Sequence, residues 1–296
     1  MLYNGITNYF YFTGVFIMNR VKLAAHRGYS AKFPENTLLA MREAMKLDID
    51  MLEIDLHMTA DGEIILMHDH LVDRTSDGTG LIREKTLEEM RSLDVGSWKS
   101  PEFAGERVPT FREFLEFLKD YPSVEVNVEL KDYPGHSGAF AYESCDKSLA
   151  MIEEYGIADR IYINAWSGTL LNYISEKYNG RYRLHGYYPL FLNKLPKNVD
   201  GDEHLDESFF KRMFCVCLFA REEDAEGNAI KLPDPVMPEE DFKYVSSLGV
   251  EPWVYFNPDT ERDLTLAVKY GAVGVTSNDP VLSGAILDKI GARALR

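Results

Sequence analysis

Short runs rich in Val, Ile and Leu alternate along this chain with longer stretches whose apolar residues recur every three or four positions. The short runs read as buried strands, and the longer ones as amphipathic helices packed on them. Val21-Lys22-Leu23-Ala24-Ala25 is the first strand. Pro34-Glu35-Asn36-Thr37 then opens a helix that carries Leu38, Leu39, Met41, Ala44, Met45 and Leu47. Residues 51–57 form the second strand, and Ala60-Asp61-Gly62-Glu63 is a tight turn into a strand over 64–68. Further on, the pattern predicts helix 110–119, strand 123–130, helix 141–155, strand 160–164, helix 168–178 and strand 182–188. It continues with helix 205–211, strand 213–218, helix 238–248, strand 250–256, helix 259–269, strand 272–276 and helix 279–290. With 64–68 counted as the return arm of a hairpin, eight principal strands remain, each followed by a helix. That is the α/β pattern of a (β/α)8, or TIM, barrel.

One stretch breaks the rhythm. Residues 70–108 scatter Gly78, Gly80, Gly96, Pro101 and Gly105 around a single helix predicted at 86–93. It reads as an insertion of about 70–108 placed directly after a charged strand end. Residues 18–296 otherwise read as one barrel domain, with irregular loops at 192–204 and 221–236. Residues 1–17 lack the positive start of a signal peptide and the unbroken apolar length of a membrane span. Met18 is the expected native start.

Composition narrows the partners. Acidic residues outnumber basic ones by 48 to 32, a formal charge of -16, which opposes nucleic acid and anionic membrane surfaces. An anionic small molecule would need a local positive site. The odd count of three cysteines, Cys145, Cys215 and Cys217, favours free thiols in a reducing, cytoplasmic setting. Cys215 and Cys217 share one face of a strand and are expected to pack in the core. Neither a GxxxxGK[ST] phosphate loop nor a GxSxG elbow occurs, which argues against a nucleoside triphosphatase or a serine hydrolase.

Charged clusters stand where apolar runs end: His26-Arg27-Gly28, Glu53-Ile54-Asp55, His68-Asp69 and Glu129-Leu130-Lys131. Parallel α/β folds place their chemistry at the carboxyl ends of strands. Glu53 and Asp55 lie two apart and point the same way on a strand. With Glu129 from another strand they would suit a hard divalent cation, Mg2+ or Ca2+. His26 and His68 are the candidate proton carriers for displacement at phosphorus. Arg27 and Lys131 could neutralise a phosphate, or pair with the acids beside them. Trp253 is a candidate for lining a substrate pocket, with core packing the alternative. His57 is more readily structural, and His70, His136, His185 and His204 receive no role.

Taken in order, these motifs resemble those of the glycerophosphodiester phosphodiesterases. The likeness rests on His26-Arg27-Gly28, Pro34-Glu35-Asn36-Thr37, Glu53-Ile54-Asp55, Thr59-Ala60-Asp61-Gly62, His68-Asp69 and Glu129-Leu130-Lys131, in order and spacing through residues 21–131. Asp73-Arg74-Thr75-Ser76-Asp77-Gly78-Thr79-Gly80 and Val108-Pro109-Thr110 resemble the insertion of that family. The resemblance implies a TIM barrel that hydrolyses glycerophosphodiesters to sn-glycerol 3-phosphate and an alcohol with one divalent cation. By position, His26 and His68 become the general acid/base pair, Glu53, Asp55 and Glu129 the metal ligands, and Arg27 and Lys131 the phosphate contacts. The second half departs from the pattern. Ala165-Trp166-Ser167 stands where the family usually has Ser-Phe, and Thr276-Ser277-Asn278-Asp279-Pro280 where it has Thr-Asp. The alcohol is not specified by these motifs. Formation of a cyclic phosphate, as in the resembling sphingomyelinase D and phospholipase C enzymes, is an alternative reading, and a non-catalytic binding module is another.

Mass spectrometry of the protein from its own cell is expected to find Met18 at the amino terminus. Peptides from residues 1–17 would overturn that start site.

Overall fold

The computed structural model describes residues 20–194 and 205–293; the expected start at Met18, His204 and most of the loop 192–204 lie outside them. In chain order the strands are β1 (Lys22–His26), β2 (Met51–Met58), β3 (Ile64–Leu66), β4 (Glu125–Leu130), β5 (Ile161–Asn164) and β6 (Arg183–Tyr188). They continue as β7 (Cys215–Leu218), β8 (Arg221–Glu223), β9 (Ala229–Lys231), β10 (Glu251–Tyr255) and β11 (Gly274–Ser277). β1, β2, β4, β5, β6, β7, β10 and β11 pair in parallel in that order, and β11 pairs back to β1. The ring closes as an eight-stranded barrel with helices between its strands. β3 takes no place in it; β3 runs antiparallel on the upper part of β2, with Leu56 opposite Leu66.

Side-chain alternation divides each strand between two environments. Leu23, Ala25, Leu52, Ile54, Leu56, Val126, Val128 and Leu130 face outward, in one cluster with Met41, Phe111, Phe114, Leu118, Leu149 and Leu171 of the surrounding helices. The complementary positions fill the lumen in tiers. At the amino-terminal end Lys22 Nζ donates to Glu125 (2.6 Å) and to the Tyr162 hydroxyl (2.8 Å), and Arg183 donates to both from the other side at 2.7 Å. Above this ionic floor lies an apolar plug of Ala24, Met51, Tyr162, Cys215 and Trp253. The carboxyl-terminal tier is left to the charged residues.

Trp253 is therefore not a pocket residue. It is fully buried in the plug beneath the cavity, its indole nitrogen donating to Glu251 at 3.2 Å. Position 253 projects into the lumen one tier too low, whereas Tyr255, two residues on, reaches the cavity. The large ring is accommodated by Gly274 on the neighbouring strand, where an added Cβ would stand 2.3 Å from it. Cys215 and Cys217 share the lumen face as expected, and all three thiols are buried and free.

The helices start where the sequence supplies acceptors. Thr86 and Thr110 form capping boxes with Glu89 and Glu113, satisfying amides that the first turn leaves open. In Pro34-Glu35-Asn36-Thr37 only Thr37 caps, accepting from the Ala40 amide. The residues before it do something else. The segment 70–108 has its own small core of Ile65, Met67, Val72, Ile82, Met90, Val95 and Val108, holding a short helix, Leu87–Ser92, against β3. The predicted helix 205–211 is a 3-10 segment, Glu207–Arg212. The loop 221–236 contains the hairpin β8–β9, which the sequence pattern does not show. No helix among the described residues is long and apolar enough to cross a membrane.

Gly274→Ala is expected to cost about 1–3 kcal/mol by overpacking the Trp253 ring, lowering the urea midpoint at unchanged slope. Gly284→Ala, in helix Pro280–Lys289 with ordinary 3.6 Å clearance to Leu23, is expected to raise it, by up to about 1 kcal/mol. A neutral Gly274→Ala would contradict the packing described.

Candidate active site

β2 and β4 are adjacent and in register, with Glu53 opposite Asn127 and Asp55 opposite Glu129. Because Glu53 and Asp55 occupy lumen positions, the three carboxylates converge, each offering an oxygen within 4.8 Å of the others. All three are buried. Such a cluster is costly unless compensated. Lys131 and Arg27 supply part of the compensation. Lys131 Nζ sits between Glu129 and Asp55, 3.1 Å from Asp55 Oδ1. Arg27 Nε lies 3.2 Å from Asp55 Oδ2, and the Arg27 amide donates to Glu53 Oε2 at 2.9 Å.

Asn36 completes the support. Its side-chain amide donates to Asp55 Oδ2 at 2.8 Å and its Oδ1 accepts from the Asp55 amide at 3.2 Å. Arg27 (φ 57) and Asn36 (φ 56) both hold left-handed backbone conformations, which cost about 1–2 kcal/mol per ordinary residue. The Asn36 amide bonds to the Arg27 carbonyl at 3.1 Å, so the two strained residues brace each other beside the acids. Gly28 follows at φ 79, packed so closely that a Cβ would lie 2.6 Å from the Ala40 backbone.

Three carboxylates against two fixed cations leave one negative charge uncompensated. Burial would raise Asp55, but Lys131 and Arg27 hold its carboxyl well below the usual range. The imbalance falls on Glu53. Burial, reinforced by the charge on Asp55, pushes its carboxyl well above the ordinary value. Glu53 Oε1 and, beside it across the ladder, Asn127 Oδ1 are buried without hydrogen-bond partners among the described residues. Oxygen donors in this arrangement fit a hard divalent cation. Such an ion would turn the local charge from one negative to one positive, which matches the single negative charge of a phosphodiester.

The two candidate proton carriers line the same cavity as Glu53 and Glu129. His26, at the end of β1, has Nε2 3.8 Å from Glu53 Oε2. Its Nδ1 bonds to Asn278 Oδ1, and Asn278 in turn donates to the Tyr255 hydroxyl at 3.2 Å. Burial, aided by the charge on Arg27, lowers its pKa to about 3. His68 follows β3, with Nδ1 bonded to Asp69. Arg74 from the 70–108 segment clamps Asp69 (Nε to Oδ2, 2.6 Å) and also reaches Glu35 at 2.8 Å, which accepts from Arg27 at 2.8 Å. Thus Glu35, Asn36, Asp69, Arg74 and Asn278 all serve the site, although none was assigned a site role from sequence. Glu35, Asn36 and Asp69 sit inside the motifs that point to the site, but their own roles need the fold. Arg74 and Asn278 lie in segments whose approach no local pattern reveals.

For Lys131 the structure shows the pairing with neighbouring acids: its ammonium is buried between Glu129 and Asp55. His57 bonds to Asp132 Oδ1 at 2.9 Å, and Asp132 also accepts from the Met58 amide and Ser144. Together with His70 they form a second group of metal-capable side chains, whose carboxylate is already engaged in tying β2 to the helix Ala139–Glu154. The cavity itself measures about 260 Å³. It runs from the carboxylates to an aromatic side, where Trp166 stacks on Tyr187 at 3.7 Å and Phe219 and Tyr255 stand nearby.

Comparison with known proteins fits this geometry. The profile of the Glycerophosphoryl diester phosphodiesterase family matches residues 26–282. A glycerophosphodiester phosphodiesterase of Caldanaerobacter subterraneus subsp. tengcongensis is 34% identical over 197 residues, covering 60% of this chain and 79% of that protein. One from Bacillus subtilis is 37% identical over 126 residues, 40% of this chain and 43% of its own length. The fold is similar to that of an Oleispira antarctica phosphodiesterase solved with the product sn-glycerol-3-phosphate, at TM-score 0.72 and 21% identity, covering 91% of this chain and 97% of the other.

Titration calorimetry with Mg2+ or Ca2+ is expected to show one ion per chain at this site. Glu129→Gln should weaken binding by about tenfold or more, with a matching loss of ion-dependent thermal stabilisation. Binding equal to the parent protein would remove Glu129 from the ligand set.

Proposed function

Because the chain belongs to the glycerophosphoryl diester phosphodiesterase family, we propose that it hydrolyses glycerophosphodiesters to sn-glycerol 3-phosphate and an alcohol, with His26 and His68 as the proton-transfer pair. The observation that carries the reading is one cavity bounded by both imidazoles, by Glu53 and Glu129, and by the guanidinium of Arg27.

Glu53, Asp55 and Glu129 would hold one divalent ion, Mg2+ or Ca2+, which supplies positive charge to the non-bridging phosphate oxygens when bound. The side chains do the rest. Arg27, fixed by Glu35 and Asp55, is poised at the cavity wall to bind phosphate through its remaining donor. Lys131 positions Asp55 and Glu129 by pairing with both. His26 has Nδ1 committed to Asn278, and burial keeps the ring neutral. Its Nε2 lone pair is then available to take a proton from attacking water. His68 is the partner on the other side of the cavity. Asp69 and Arg74 fix its ring through Nδ1, which orients it to deliver a proton to the departing alkoxide. The phosphorus–alkoxide bond breaks as the bond to the water oxygen forms. One proton passes to His26 and one leaves His68, and solvent exchange restores both.

His26→Ala and His68→Ala are each expected to lower turnover of glycerophosphoglycerol by about 10²–10⁴-fold with circular dichroism unchanged. Phosphorus NMR should show a monoester as the first product. Near-full activity in either variant would remove that histidine from proton transfer, and a cyclic ester would replace water by a substrate hydroxyl as the nucleophile.

A further inference from the structure

The cavity also meets a cation that hydrolysis leaves unused. Arg221, the first residue of β8, lines it together with Ala229 of β9. The hairpin register sets Arg221 opposite Lys231 and Glu223 opposite Ala229. Directly opposed residues project from the same face of a ladder, so the face that brings Arg221 and Ala229 to the cavity also carries Lys231 and Glu223, both exposed. Like charges in that relation destabilise the pair, and something must offset them.

Nothing among the described residues does. Arg27 is held by Asp55 and Glu35, and Arg74 by Asp69 and Glu35. Among the described residues no carboxylate pairs with Arg221 or Lys231. Glu223, on the same face, is exposed and forms no ion pair with either, while Asp224 is engaged by Asn228 in the turn. Arg221 is partly buried, and burial lowers its pKa with no acid acting against it. In a chain of formal charge -16, this is a guanidinium at the cavity wall with no acidic partner among the described residues.

We propose that the hairpin end of the cavity receives a negatively charged group on the alcohol portion of the substrate, a phosphate or a carboxylate, with Arg221 as its main contact and Lys231 beside it. The proposal rests on the hydrolytic reading above and adds the class of alcohol. An Arg fork matches both kinds of oxyanion. The aromatic faces of Trp166, Tyr187 and Phe219 would pack along the linking carbons. A quaternary ammonium could also meet those faces, but it would meet the two unpaired cations as well, so a choline ester is disfavoured.

The test compares kcat/KM for glycerophosphoglycerol, the same ester carrying a terminal phosphate, and glycerophosphocholine, at one ionic strength. The native protein is expected to favour the terminally phosphorylated ester over its uncharged counterpart by about tenfold or more, the scale of one charge-assisted contact. Arg221→Gln should bring that ratio close to one through KM, Arg221→Lys should retain most of it, and Arg221→Glu should shift preference toward glycerophosphocholine. A native ratio near one, or a ratio unchanged in Arg221→Gln, overturns the proposal while leaving hydrolysis standing. Failure of the folded native protein to cleave any of the three overturns the hydrolytic reading and the proposal with it.

Discussion

Three carboxylates buried on neighbouring strands impose the condition that the rest of the site answers. Glu53, Asp55 and Glu129 stand in a part of the barrel where water cannot screen them, and like charges in that position repel strongly. The chain responds with alternating opposite charges. From Glu129 the sequence of contacts runs through Lys131, Asp55, Arg27, Glu35, Arg74 and Asp69 to His68. Each inner member is fixed by partners on both sides, so the orientation of His68 at one rim is tied to the placement of acids at the other. The three acids at the start of that chain of contacts are the group that could hold a divalent ion.

This network explains why the barrel's regularity fails where it does. β3 and the 70–108 segment contribute nothing to the ring of eight strands, yet they deliver His68, Asp69 and Arg74 to its mouth. A simple βα connection would have no room for them. The segment affords itself a small independent core around Met90 and Val95, so Arg74 is carried on packed structure rather than on a free loop.

The lumen is graded along its axis. An ionic floor of Lys22, Glu125 and Arg183, an apolar plug centred on Trp253, and an open charged tier follow one another. The plug separates two sets of charges and makes the cavity one-ended, opening only at the carboxyl ends of the strands. On one side of that cavity the donors and acceptors are nearly all engaged. On the other, aromatic rings and the β8–β9 hairpin present a surface with little internal pairing, which is where differences among substrates can be read.

The sequence alone carried the barrel and the charged groups that gather at the carboxyl ends of its strands. Strand and helix periods are local properties, and the spacing of Glu53 with Asp55, like that of Glu129 with Lys131, fixes a shared face on any strand. That His26 and His68 would line one cavity was legible because each ends an apolar run beside charged residues. What local pattern could not supply was depth and approach. Trp253 and Tyr255 have the same parity on one strand, but their tier depends on the stagger of the whole ring, so only the folded barrel sends one into the plug and the other into the cavity. The pairing of Lys131 with Asp55 likewise needs β2 and β4 side by side. Glu35 meets Arg74 across 39 positions because the 70–108 segment folds over the barrel mouth, and Asn278 meets His26 across 252 positions, a contact that exists only once closure of the ring has brought the first and last strands side by side.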